Sequence, residues 1–72
     1  MNTTSVRVRN LRVGDRVGDQ TVIGVGRVEL DFVDGRGRRV YRLCVALRRD
    51  NGSERVASWR PDTTVSVRNR EA

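Results

Sequence analysis

Histidine and lysine are both absent from this 72-residue chain. Without histidine, the commonest general base near neutral pH is missing. Without lysine there is no Schiff-base or tuned-amine chemistry. Cysteine occurs once, at Cys44, which excludes an internal disulfide and cannot build a zinc site alone. The serines Ser5, Ser53, Ser58 and Ser66 have no plausible base beside them in sequence. No apolar run approaches the ~20 residues that a membrane-spanning helix needs. Met1–Asn2–Thr3–Thr4–Ser5 has neither the basic nor the apolar region of a signal peptide, so a soluble cytoplasmic chain is expected. Aromatic rings are scarce as well: Phe32, Tyr41 and Trp59. Barrels that bind single strands usually present several stacking rings, so contact with a duplex backbone fits this composition better.

What the chain does have is valine and arginine. Thirteen residues are valine, whose β-branched side chain favours pleated, half-buried surfaces. All 15 basic residues are arginine, and the net charge is +6 with a sequence pI near 11.4. A charge this far from zero on a small domain points to a polyanionic or acidic partner. The length fits one domain, residues 1–72, with fraying at 1–4 and 69–72. A core of this size supplies only ~3–5 kcal/mol of net stability.

Alternation predicts five strands. The first, 5–10, alternates Val6 and Val8 with Arg7 and Arg9. Leu11–Val17 follows as a turn, with Gly14 free to take positive φ and Asp15 able to bond the backbone. The second strand, 20–33, is long. Val28, Leu30 and Phe32 fall on its inward face, with Arg27, Glu29 and Asp31 outward. The apolar phase changes near Gly24 and Gly26, which predicts a bulge or sharp bend. Asp34–Arg38 is a loop, and the third strand, 39–49, is apolar on both faces, as a central or covered strand is. Cys44 reads as a small hydrophobe within it. Asn51–Gly52 predicts a type I′ hairpin turn before the fourth strand, 54–60. Pro61 cannot continue a central ladder, so Arg60–Thr63 is a turn before the last strand, 64–68.

Together these elements predict an all-β fold, a small five-stranded SH3-like barrel. The stretches Val6–Val17, with its Leu11-x-x-Gly14-Asp15-x-Val17 pattern, and Ala57–Val67, with Trp59–Arg60–Pro61–Asp62, carry a resemblance. The chain resembles short SH3-like β-barrel proteins of actinobacteria and their bacteriophages. The resemblance covers about a third of the chain and rests on turn chemistry. It implies the barrel fold and such a source, hence a host cytoplasm if the gene is phage-borne. It carries no functional residues with it.

No pattern of catalysis emerges. Glu29 and Asp31 share a strand face, but Arg27 beside them makes an ordinary solvated surface. Gly24–Val25–Gly26 lacks the rest of a dinucleotide fingerprint. Asp50–Asn51–Gly52 is too short for a calcium loop. No catalytic residue, cofactor or metal is therefore expected. The arginines are uneven, however: Asp34–Arg42 holds four of them against one acid, half of the net charge. A glycine-spaced arginine loop suits a phosphate backbone, because guanidinium groups bind phosphate in bidentate fashion. The expected function is a non-enzymatic module that contacts nucleic acid through Arg36, Arg38, Arg39 and Arg42, extended by Arg7 and Arg9. Trp59, just before Pro61 and so able to lie at the barrel rim, either packs into the core or stacks on a base or a partner. The alternative is a protein-interaction module, a phage-encoded factor for a host protein or a minor assembly component, with contacts such as Val40 and Ile23. A homodimer through the doubly apolar third strand belongs to the same class.

Overall fold

The computed structural model describes residues 3–68. Its elements are β1 (Thr4–Arg7), a 3₁₀ turn (Val8–Asn10), β2 (Arg16–Val17), β3 (Gln20–Val33), β4 (Arg39–Arg49), β5 (Glu54–Trp59) and β6 (Thr64–Val67). The fold is all-β and barrel-like, as expected, with six strands among the described residues instead of five. β2, β3, β4 and β5 form an antiparallel meander, while β1 pairs with β6. The Arg68 amide donates to the Arg16 carbonyl at 2.9 Å and stitches the two sheets together. Joined in this way, the order β1-β6-β2-β3-β4-β5 curls into a half-barrel whose end strands, among the described residues, are β1 and β5.

The first strand is shorter than the expected 5–10. β6 begins at Thr64, so β1 has no ladder partner beyond Arg7. The chain then winds into the 3₁₀ turn, closed by the Leu11 amide on the Val8 carbonyl at 3.1 Å. Three residues per turn put Val8 and Leu11 on one side, and both are buried. The short strand β2 lies inside the segment expected to be a turn. Buried Asp15 organises that segment: its carboxylate accepts from the Arg12 amide at 2.8 Å, and its carbonyl accepts from the Val22 amide at 2.8 Å. The fourth and last strands end at Trp59 and Val67, one residue before their expected ends. The Thr63 amide donates to the Arg60 carbonyl at 3.0 Å, making the expected turn. The C-terminal fraying expected at 69–72 lies outside the described residues.

The core is small. Val6, Val8, Leu11, Val22, Leu43, Val45, Leu47 and Val67 are buried, with Val17, Ala57, Trp59 and Val65 packed partly against them. β4 is its spine, placing alternate residues Leu43, Val45 and Leu47 inward from the centre of the meander. β3 must bend to stay with it. The β3–β4 register shifts between Val22 and Gly24 and again between Val25 and Val28, where the paired glycines predict it. A Cβ at Gly26 would stand 3.1 Å from the Cys44 carbonyl oxygen, tighter than an ordinary contact, so the strands approach closely there.

A third shift, between Leu30 and Phe32, is not legible in the alternation. It sets Phe32 opposite Val40, out of phase with Leu30, which faces Tyr41. The expected inward set is therefore corrected. Val28, Leu30 and Phe32 are about half exposed, at 50%, 51% and 47%. The reason is geometric. β5 ends with Trp59 opposite Leu43, and Leu43 is also the last buried residue of β4 in that direction. Beyond it β3 and β4 continue as a two-stranded ribbon that no further strand among the described residues pairs with, in a molecule 42 Å long and 15 Å thick.

Both hairpin ends are built alike. The Gly37 amide donates to the Asp34 carbonyl at 3.0 Å, and the Gly52 amide to the Arg49 carbonyl at 2.8 Å. Gly37 and Gly52 have φ of +77° and +92°, and no other residue type has positive φ among the described residues. Asn51 thus does not take the left-handed conformation that a type I′ turn demands. Each end is a three-residue connection closed by a left-handed glycine. The Arg16 guanidinium ties the β4–β5 end to β2, bonding Asp50 at 2.7 and 3.1 Å and Thr21 at 2.9 Å. That hydrogen bond is the main cause that holds the Asp50 carboxyl below its ordinary pKa.

Two outcomes follow. Gly37→Ala should lower stability by about 1 kcal/mol, whereas Gly35→Ala, which meets neither positive φ nor a neighbour, should be neutral or slightly stabilising in urea unfolding. Because folding lowers the pKa of Asp50, its stabilisation is present above the ordinary carboxylate range and lost as pH falls through the lowered value. Asp50→Asn should therefore be less stable than the parent at about pH 7, and the difference should shrink as pH is lowered below the ordinary carboxylate range, as read by denaturant midpoints.

Candidate functional site

The loop Asp34–Arg38 sits at the free end of the ribbon. Asp34 shapes it from within. Its Oδ1 accepts from the Arg36 amide at 2.8 Å and the Arg38 amide at 2.9 Å, and its amide donates to the Arg38 carbonyl at 2.9 Å. The single acid of the loop is thereby spent on backbone donors, and the arginine side chains are left outward. Arg36, Arg38 and Arg39 are exposed, and none has an acidic partner within ion-pair distance among the described residues.

Nearer the barrel, the ribbon meets the 3₁₀ turn and the β5–β6 turn. The amides of Val8 and Arg9 donate to the carbonyls of Thr63 and Pro61 at 2.8 and 3.1 Å, which brings Arg9 beside Asp62. Their side chains pair at 2.7 Å. A cleft of about 280 Å³ opens between these parts, lined by Arg9, Val28, Arg39, Val40, Tyr41, Arg60, Pro61 and Asp62. It is walled by apolar surface and rimmed by three arginines and one aspartate.

Of the arginines picked out in the sequence, the structure brings Arg9 and Arg39 to this cleft and places Arg36 and Arg38 at the ribbon tip next to Arg39. Arg42 is engaged elsewhere, 3.6 Å from Glu29 on the neighbouring strand. Arg7 ends β1 opposite Thr64 and is not part of the cleft lining. Trp59 lies opposite Leu43, partly packed against the core, and does not line the cleft either. Ile23 and Val40, taken as exposed apolar contacts, are half-buried. The exposed apolar residues of the ribbon are Val28, Leu30, Phe32, Val33 and Tyr41.

Arg60 is the residue that sequence reasoning missed. Pro61 ends β5, so Arg60 lies beyond the Trp59–Leu43 pair, beside the stretch of β4 that β5 no longer covers. Its guanidinium bonds Asp31 at 3.0 Å and the Tyr41 carbonyl at 3.4 Å, and stands 5.5 Å from the centre of the Phe32 ring. One side chain thus braces the ribbon at its third bulge. The only sequence signal was an arginine directly before the strand-breaking proline, with an aspartate in a strand it could reach.

Comparison with known proteins yields no match among family models, curated proteins or solved structures.

The Arg60–Asp31 pair is half exposed, so its contribution should be modest. A double-mutant cycle over Arg60→Ala and Asp31→Ala should give a coupling of about 0.3–1 kcal/mol that shrinks as salt is added. Zero coupling at low salt would remove Arg60 as the brace.

Proposed function

We propose that this chain is a small non-enzymatic binding module that contacts nucleic acid, chiefly through phosphates. One observation carries the reading: Arg36, Arg38 and Arg39 stand together at the end of a projecting two-stranded ribbon, without acidic partners among the described residues. Unpaired guanidinium groups match phosphate oxygens in bidentate geometry, and releasing counterions from a polyanion drives their binding. A two-stranded ribbon is also one of the shapes that a B-DNA major groove, about 12 Å wide, admits. The net charge of +6 adds long-range attraction. The turn motifs that resemble actinobacterial and phage proteins are consistent with a factor acting in a bacterial cytoplasm.

A second reading rests on a different observation. Val28, Leu30, Phe32 and Val33 expose apolar surface on the same ribbon, and such patches mark protein contacts. A protein partner, or a second copy of the chain meeting the β3–β4 ribbon, would give a salt-tolerant complex weakened by Leu30→Ser.

Duplex binding followed by fluorescence anisotropy separates the two. Affinity should fall steeply with salt, and Arg36→Ala, Arg38→Ala and Arg39→Ala should each reduce the log–log slope by about 1. Arg42→Ala, whose guanidinium faces Glu29, should change it least. Asp62→Asn should tighten binding up to about fivefold by releasing Arg9 from its surface ion pair. Failure of both duplex and single strands to bind at low salt would end the nucleic-acid reading.

A further inference from the structure

The phosphate contacts proposed for the ribbon tip leave the cleft at the ribbon's root unused. The cleft combines two kinds of wall. Val28, Val40, Tyr41 and Pro61 supply apolar surface, and Tyr41 is 41% exposed, a ring open to solvent beside a buried strand centre. Arg9, Arg39 and Arg60 supply positive charge. Two of these charges are already answered, Arg9 by Asp62 and Arg60 by Asp31. Arg39 is not, and it belongs both to the cleft lining and to the tip cluster. The cleft therefore continues the arginine-bearing surface of the tip and has the aromatic Tyr41 in its lining.

Its size restricts the occupant. About 280 Å³ lies at the lower edge of the ~300–1,000 Å³ typical of small-ligand sites, enough for one ring system with its attached sugar. A paired base inside a duplex cannot present its face to a side chain; an unpaired one can, and every base has a face to stack. The one ring among the residues that line the cleft fits one such nucleotide and not a track of them.

Resting on the nucleic-acid reading above, we propose that the cleft seats one unpaired nucleotide at the end of a duplex. Tyr41 stacks on the base, Val28, Val40 and Pro61 close around it, and Arg39 holds the adjoining phosphate while Arg36 and Arg38 follow the backbone beyond. The preferred ligand is then a duplex with a single-stranded overhang, not a blunt duplex.

The test compares three labelled probes by anisotropy at low salt, each in DNA and RNA form: a blunt duplex, the same duplex with a short overhang, and the overhang strand alone. The overhang duplex should bind at least about fivefold more tightly than the blunt one, the scale of one stacked base. Tyr41→Ala should abolish that preference and Tyr41→Phe should keep it, with folding of each checked by Trp59 fluorescence. Equal affinity of the wild-type chain for blunt and overhang duplexes overturns the nucleotide cleft while leaving phosphate binding by the ribbon intact, and this comparison needs no variant. A preference that survives in folded Tyr41→Ala overturns the role of the ring. No binding of any probe overturns both proposals together.

Discussion

The backbone ladder between β3 and β4 pairs Gln20 with Arg49 at one end and Val33 with Arg39 at the other, and the apolar core covers only part of it. Leu43, Val45 and Leu47 anchor the inner part, where β1, β6, the 3₁₀ turn and β5 supply the opposing side chains. Past Leu43 the ladder is held by its own hydrogen bonds, its bulges and the Arg60 brace. An isolated two-stranded hairpin is marginal in water, so the ribbon borrows its order from the barrel at its root. Everything distinctive about the surface follows from this overhang. It leaves Val28, Leu30 and Phe32 half exposed, carries three arginines to the far end, and forms a cleft where the ribbon passes the β5–β6 turn.

Open strand edges normally invite association between copies. Among the described residues β3 pairs with β2 only at Gln20 and Thr21, which leaves most of its outer edge without a ladder partner there. Three interruptions of register along β3, together with Arg27, Glu29 and Asp31, break up the flat template that another strand would need. On the β4 side, Arg60 reaches the Tyr41 carbonyl just where β5 stops. The same bulges that bend β3 round the core thus also protect the ribbon, and the charge at its tip adds repulsion between copies.

Much of this was legible in the sequence where local chemistry decides the outcome. Strands β3 and β4 were bounded correctly because alternation and turn residues mark them at both ends. The glycine-linked bends were legible because Gly24 and Gly26 coincide with a change of apolar phase. Asp15 was legible as a turn organiser. What escaped depends on distant partners. Nothing local says that β1 must stop at Arg7, since that depends on where β6 begins. Phe32 looks like a core residue by alternation, and its exposure follows from the third bulge and from β5 ending at Trp59. The arginine cluster was legible as composition, but which members are free was not: Arg9 and Arg42 find Asp62 and Glu29 only through the fold. Arg60 was hidden for the same reason, because its partners lie 19 and 29 residues away.

The proposed working surface of this molecule is the overhanging ribbon. Amide chemical-shift mapping of the isotope-labelled chain during titration with a short duplex tests it directly, because every part of the fold reports separately. The account predicts perturbations concentrated at Asp34–Tyr41, with smaller ones at Arg9 and Asp62. Perturbations confined to β5 and the β4–β5 hairpin end, or none at low salt, would contradict it.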